Sequence, residues 1–126
     1  MVGTNSFIIH KHSTPNPHYD LRIEIEGVLK SWIILKNLSN KTKEKRLAIE
    51  DKNLEHNIIH AKSVIDDGYG VGEAEIWDSG GYELREKRPS KIVFETEGAK
   101  FRGRYVLLLP SWGKLSKKRL WVLFAS

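Results

Sequence analysis

The sequence predicts a mainly β fold: a compact antiparallel β-barrel of about eight strands with short helical or loop insertions. Three observations predict it. Polar and apolar residues alternate with a period of two, most cleanly in His18–Ile25 and Lys91–Glu97. Turn signals rich in Gly, Pro, Asn and Ser separate such runs at roughly 8–12-residue intervals. The best helical stretch, residues 52–62, is weak and reads equally as a structured loop.

The elements follow in order. Residues 7–11 form a short β-rich run, and residues 13–17 a loop, because Pro15 and Pro17 fix φ and remove two backbone donors. Residues 18–26 make a strand that turns at Glu26 and Gly27 into a hairpin partner over 28–35. Residues 37–44 are polar, Lys-rich loop, and 46–50 are strand-like. Gly68, Gly70 and Gly72 mark a loop, and they lack the pattern of a phosphate-binding P-loop. Residues 73–78 read as a strand, 79–81 as a turn and 82–85 as a further strand. The strand 91–97 turns at 98–100 into 101–109, a loop fills 110–118, and an apolar strand closes the chain at 119–125. Trp32, Trp77 and Trp121 lie in strand runs and are expected in the core, whereas Trp112 lies in a loop beside Lys114.

The chain has 126 residues and no internal repeat or linker, so residues 1–126 are expected to form a single domain. Lys and Arg total 21 against 16 acidic residues, a net charge of +5 that favours a polyanionic partner. The absence of cysteine excludes disulfides and thiolate metal sites. No apolar run approaches the ~18 residues that span a membrane, and the first residues lack a signal-peptide pattern, so a soluble cytoplasmic protein is expected.

The run His18–Ile25 carries the chemistry. On a strand, His18, Asp20, Arg22 and Glu24 share one face, while Tyr19, Leu21, Ile23 and Ile25 face a core. Successive polar side chains on that face stand about 7 Å apart. His12, on the preceding run, can fold over them. Two imidazoles and a carboxylate suit a first-row divalent ion and leave positions open for water or substrate oxygen. Mn²⁺ accepts such mixed donors, and Zn²⁺ does also. A guanidinium at Arg22 matches a phosphate oxyanion. Metal and arginine around one anion make a phosphoryl-transfer arrangement. His10 shares the parity of His12.

The stretch Lys11-His-Ser-Thr-Pro-Asn-Pro-His-Tyr-Asp-Leu-Arg-Ile-Glu-Ile-Glu-Gly-Val-Leu-Lys-Ser-Trp32 closely resembles the phosphoesterase domain of bacterial DNA ligase D, a family with small standalone archaeal members. Lys45-Arg-Leu-Ala-Ile49, the glycine loop followed by Ile76-Trp-Asp78, and Leu120-Trp-Val-Leu-Phe124 extend the resemblance over nearly the whole chain. The resemblance implies a β-barrel enzyme that heals 3′ ends at strand breaks. Such an enzyme removes a terminal ribonucleoside as a 3′-phosphodiesterase, then the remaining 3′-phosphate as a phosphomonoesterase. It implies Mn²⁺ as cofactor, and His12, His18 and Asp20 as metal ligands; Zn²⁺ or Co²⁺ is the alternative ion. It implies Arg22 as the phosphate contact, and Lys36 and Arg46 as further substrate-binding groups. Nucleic-acid 3′ ends are the implied partners, alongside a separate DNA ligase and polymerase in end joining. A monomer is expected.

Two departures from the family bear on mechanism. After the Arg46 segment the family carries a His and, four residues later, a Tyr. The simplest register puts Lys52 and His56 there; in a shifted register His56 takes the His role, and His60 is a third candidate. A lysine binds phosphate but does not shuttle a proton near neutral pH without a strongly depressed pKa. His56 is therefore the expected proton donor, and the monoesterase step is the one most exposed to this departure. Secondly, only six residues precede Phe7, so contacts that the family draws from an arm before the first strand are expected to be replaced or lost.

Other features are less specific. Lys41, Lys43, Lys45, Lys114, Lys117, Lys118 and Arg119 are candidates for tracking a phosphate backbone, and Trp112 for stacking on an end base. Two readings compete with the esterase: a non-catalytic or diesterase-only nucleic-acid-end-binding barrel, and a two-His-one-carboxylate iron oxygenase.

Overall fold

The computed structural model describes residues 6–13, 17–36, 38, 44–54, 64–66, 71–115 and 117–126. The strands are β1 (Ser6–Ser13), β2 (His18–Ile25), β3 (Val28–Ile34), β4 (Lys45–Leu54), β5 (Val64–Asp66), β6 (Val71–Arg88), β7 (Lys91–Glu97), β8 (Arg102–Leu108) and β9 (Leu120–Ala125); α1 is a single turn, Ser111–Lys114. They pair antiparallel in the order β1-β2-β3-β4-β9-β8-β7-β6, and a β1–β6 ladder closes the ring. The result is the eight-stranded antiparallel barrel that the strand pattern predicts, with β5 added outside the ring against β6.

The β2–β3 hairpin sets the register that matters for the site. Its two central residues, Glu26 and Gly27, have φ of 52° and 83°. Positive φ at both positions is what a type I′ turn needs, and its twist matches the strands it joins. Ile25 then faces Val28, and Arg22 faces Ser31. Phe7 and Ile9 of β1, Leu21, Ile23 and Ile25 of β2, Trp32 and Ile34 of β3 and Leu123 of β9 meet in one interior cluster. Trp32 and Trp121 lie edge to face within it, 5.9 Å apart, and Trp77 is partly buried against it, as expected for three of the four tryptophans. Alternation sends the other face of β1, β2 and β3 to the outside of the barrel wall.

Four local expectations change. Ser79, Gly80 and Gly81 are not a turn: β6 runs through them for 18 residues, paired to Ile8, Phe7 and Ser6 of β1. The glycine there serves close approach, since a Cβ on Gly80 would lie 3.1 Å from the Glu97 carbonyl oxygen. Residues 52–54 extend β4 rather than opening a helix; the rest of that candidate, 55–62, lies outside the described residues. β1 extends to Ser13, which draws His12 into a paired strand. The expected loop at 110–118 contains α1.

Asp78 ties the β7–β8 turn to the closing strand. Its carboxylate accepts backbone N–H bonds from Ser79, Ala99, Lys100 and Phe101 at 2.7–3.1 Å. Burial alone would raise its pKa, but the backbone donors outweigh burial and hold the carboxyl below its ordinary value. A depressed folded-state pKa gives stability that is complete above the unfolded aspartate value and is lost as pH falls through the folded one. Asp78→Ala is therefore expected to cost about 2–4 kcal/mol at neutral pH. In urea titrations, the deficit relative to wild type should shrink as pH falls below the ordinary aspartate pKa.

Candidate metal and phosphate centre

The polar face of β2 lies on the outside of the barrel wall, yet His10, His12, His18, Asp20, Arg22 and Ser31 are each at most 2% exposed. Pairing assembles them. His12 of β1 faces His18 of β2, His10 faces Asp20, and Arg22 faces Ser31 of β3. The His12 and His18 rings stack at 4.7 Å with 24° between their planes.

Asp20 is the hub. Its Oδ2 lies 2.7 Å from His12 Nε2 and accepts from Arg22 Nη2 at 2.7 Å, while its Oδ1 lies 3.5 Å from His18 Nε2. Arg22 is held on two further sides. Its Nε donates to His10 Nδ1 at 3.0 Å, and its Nη1 to Ser31 Oγ at 3.3 Å. Accepting at Nδ1 leaves the His10 proton on Nε2. The guanidinium is thus fixed in one plane before any ligand arrives, with little rotamer freedom left to lose.

The donor set fits a divalent ion. One nitrogen or oxygen each from His12, His18 and Asp20 come within 4.8 Å of one another. Ligand atoms around one first-row ion, each about 2.0–2.2 Å from it, stand roughly 3 Å apart, so the most separated of these donors would draw closer to share one ion. Two imidazoles and one carboxylate suit Mn²⁺, Zn²⁺ or Co²⁺, and the set lacks the all-oxygen character that Mg²⁺ prefers.

The other predicted site residues are less concentrated. Arg46 lies on β4 opposite Leu123, so it faces the inner side of the sheet at a barrel end, not the outer wall. It bonds the Lys45 carbonyl and lies 3.8 Å from Glu44. Lys36 is exposed, two residues past β3. Lys52 sits on β4, just after Asp51, the β4 partner of Ser31. His56 and His60 lie outside the described residues, as do Lys41 and Lys43. Trp112 is 54% exposed and shares an apolar cleft with Lys45, Pro110 and Phe124.

Two contacts of the site were missed as such. His10 emerges as the acceptor that orients Arg22; its strand parity with His12 was the available signal. Ser31 is found by counting back from the Glu26–Gly27 turn, which pairs it with Arg22.

Fold and site together define a class: a closed antiparallel barrel whose outer wall carries a buried two-imidazole, one-carboxylate centre with a guanidinium locked against it. Comparison with known proteins makes the class specific. The family described as DNA Ligase D 3′-phosphoesterase domain matches residues 10–109. The multifunctional non-homologous end joining DNA repair protein LigD of Mycobacterium tuberculosis is 36% identical over 110 residues, 82% of this chain and 14% of that protein. The LigD protein of Mycolicibacterium smegmatis is 38% identical over 121 residues, 85% of this chain and 16% of its own length. That of Pseudomonas aeruginosa is 32% identical over 114 residues, 85% of this chain and 14% of its own length. The chain belongs to the DNA ligase D 3′-phosphoesterase domain family. It spans only about one seventh of these relatives. Among the described residues no helix is long and apolar enough to cross a membrane.

Proposed function

We propose that this protein is a divalent-metal-dependent hydrolase that clears blocked 3′ ends of nucleic acid during end joining. The observation that carries the reading is the convergence of His12, His18 and Asp20 with Arg22 fixed 2.7 Å from the same carboxylate. Family membership supplies the substrate class.

His12, His18 and Asp20 would hold the ion, with Mn²⁺ the first choice and Zn²⁺ or Co²⁺ alternatives. Bound there, a divalent ion supplies positive charge to a phosphate oxygen and lowers the pKa of water. Arg22 binds a second phosphate oxygen and stabilises the charge that builds up as the bond to the leaving oxygen breaks. His10 and Ser31 keep the guanidinium aimed. Lys36, Arg46 and Lys52 provide positive charge for the flanking backbone, and His56 donates a proton to the leaving oxygen. In the diesterase step water adds to phosphorus and the bond to the terminal ribonucleoside's 5′ oxygen breaks, leaving a 3′-phosphate. In the monoesterase step a second water adds, the bond to the 3′ oxygen breaks, and inorganic phosphate leaves with a 3′-hydroxyl remaining. The protein would act as a cytoplasmic monomer and pass such ends to a separate polymerase and ligase.

The test is a 5′-labelled primer–template ending in one 3′-ribonucleotide, incubated with Mn²⁺. Shortening to a 3′-phosphate and then to a 3′-hydroxyl is the expected course. Arrest at the 3′-phosphate would place the loss at Lys52 and His56 and leave a diesterase. Salt-sensitive binding with no product in Mn²⁺, Zn²⁺ or Co²⁺ would replace the enzyme with a binding barrel.

A further inference from the structure

The barrel end away from Arg46 contains a recess of about 280 Å³ walled by the indoles of Trp32 and Trp121. Lys30, Lys87, Arg88 and Arg119 also line it. Trp32 is 1% exposed, and among the described residues its indole nitrogen has no hydrogen-bond partner. Among the described residues Glu50 is the one carboxylate in the lining, and its Oε1 already accepts from the Trp121 indole at 2.7 Å. Lys87 bonds Glu26 at 2.6 Å and Arg88 lies 2.7 Å from Glu86, both carboxylates standing outside the lining. Lys30 and Arg119 make no ion pair among the described residues.

Among the described residues, the recess therefore sets several cations against one half-engaged carboxylate. That complement suits a ligand that only accepts hydrogen bonds, namely a multi-oxygen anion. The recess lies among strand ends, beside the turns at Glu26–Gly27 and Pro89–Ser90. A chain end enters such a place more readily than a continuous backbone. We propose that this mouth binds a terminal phosphate monoester, as at the 5′ end of a nucleic-acid strand. The site lies through the wall from Arg22: β3 turns Ser31 outward to the guanidinium and lines the recess with the adjacent Lys30 and Trp32. The assignment rests on the recess itself and not on the 3′-end chemistry.

The experiment is isothermal titration of the full chain in EDTA with three probes. These are a 5′-phosphorylated single-stranded oligonucleotide, the same oligonucleotide with a 5′-hydroxyl, and inorganic phosphate. The 5′-phosphate should tighten binding by about tenfold, as one added charge-assisted contact would. Arg119→Ala and Lys30→Gln should each remove most of that preference, Arg119→Lys should retain part of it, and Arg22→Ala should leave it intact. Circular dichroism confirms that each variant is folded. Equal affinity of folded wild type for the two oligonucleotides overturns the proposal. So does a preference that survives Arg119→Ala and Lys30→Gln but disappears in Arg22→Ala, which would place the phosphate in the outer-wall centre. Arg119-dependent binding of inorganic phosphate without a preference between the oligonucleotides would assign the recess to the free ion and overturn the strand-end reading.

Discussion

Asp20→Asn is expected to abolish turnover, lowering the rate by roughly 10³-fold or more. Asp20 touches both imidazoles and the guanidinium. The substitution keeps the side chain's shape but removes an anionic ligand from the proposed ion and the counter-charge from a buried arginine. Loss of a group that merely supports a metal ligand costs about 10–100-fold; loss of the ligand itself exceeds that. A stability effect accompanies it. Arg22 is 1% exposed, and a buried charge stripped of its partner costs about 3–5 kcal/mol. Thermal unfolding followed by circular dichroism separates the two effects: a variant folded at assay temperature and inactive at saturating Mn²⁺ is the predicted result. Wild-type turnover in Asp20→Asn would remove the carboxylate from the mechanism.

Arg22→Ala should lower the chemical rate by about 10²–10³-fold, the range seen when one preorganised donor to a developing oxyanion is lost. The loss should appear in kcat more than in KM, because the contact strengthens as negative charge concentrates on the phosphate. Arg22→Lys should not restore the rate. A lysine has no planar fork to meet His10, Ser31 and Asp20 together, so its charge would not be held in the same place. A large rise in KM with unchanged kcat would instead make Arg22 a ground-state anchor.

Much of this centre was legible in the sequence because strand parity is a strict code. A period of two placed His18, Asp20 and Arg22 on one face, and the Glu26–Gly27 turn fixed their partners on β3. The barrel was legible from the same alternation and the regular turns. What the sequence obscured was where local signals had more than one physical use. Gly80 and Gly81 read as a turn because glycine permits one, yet β6 uses Gly80 for close approach to Glu97. Residues 52–54 carry little periodicity, and it is the pairing of Leu54 with Leu29, across an irregular step in the register, that marks the end of β4. Arg46 was read only from its place in a motif; its parity with Ala48, on the inner side of the sheet, needed the strand pairing to be seen. His10 looked ancillary until the β1–β2 register brought it to Arg22 Nε.

The central claim is that the outer-wall cluster is a divalent-metal centre that drives 3′-end hydrolysis. Mn²⁺ binding to metal-stripped protein, followed by electron paramagnetic resonance beside the primer assay, tests it most directly. The account predicts one ion per chain with nitrogen couplings from two imidazoles, absent in Asp20→Asn, and product formation that rises with occupancy of that ion. Undiminished product formation in EDTA, or tight Mn²⁺ binding that persists in Asp20→Asn, would contradict it.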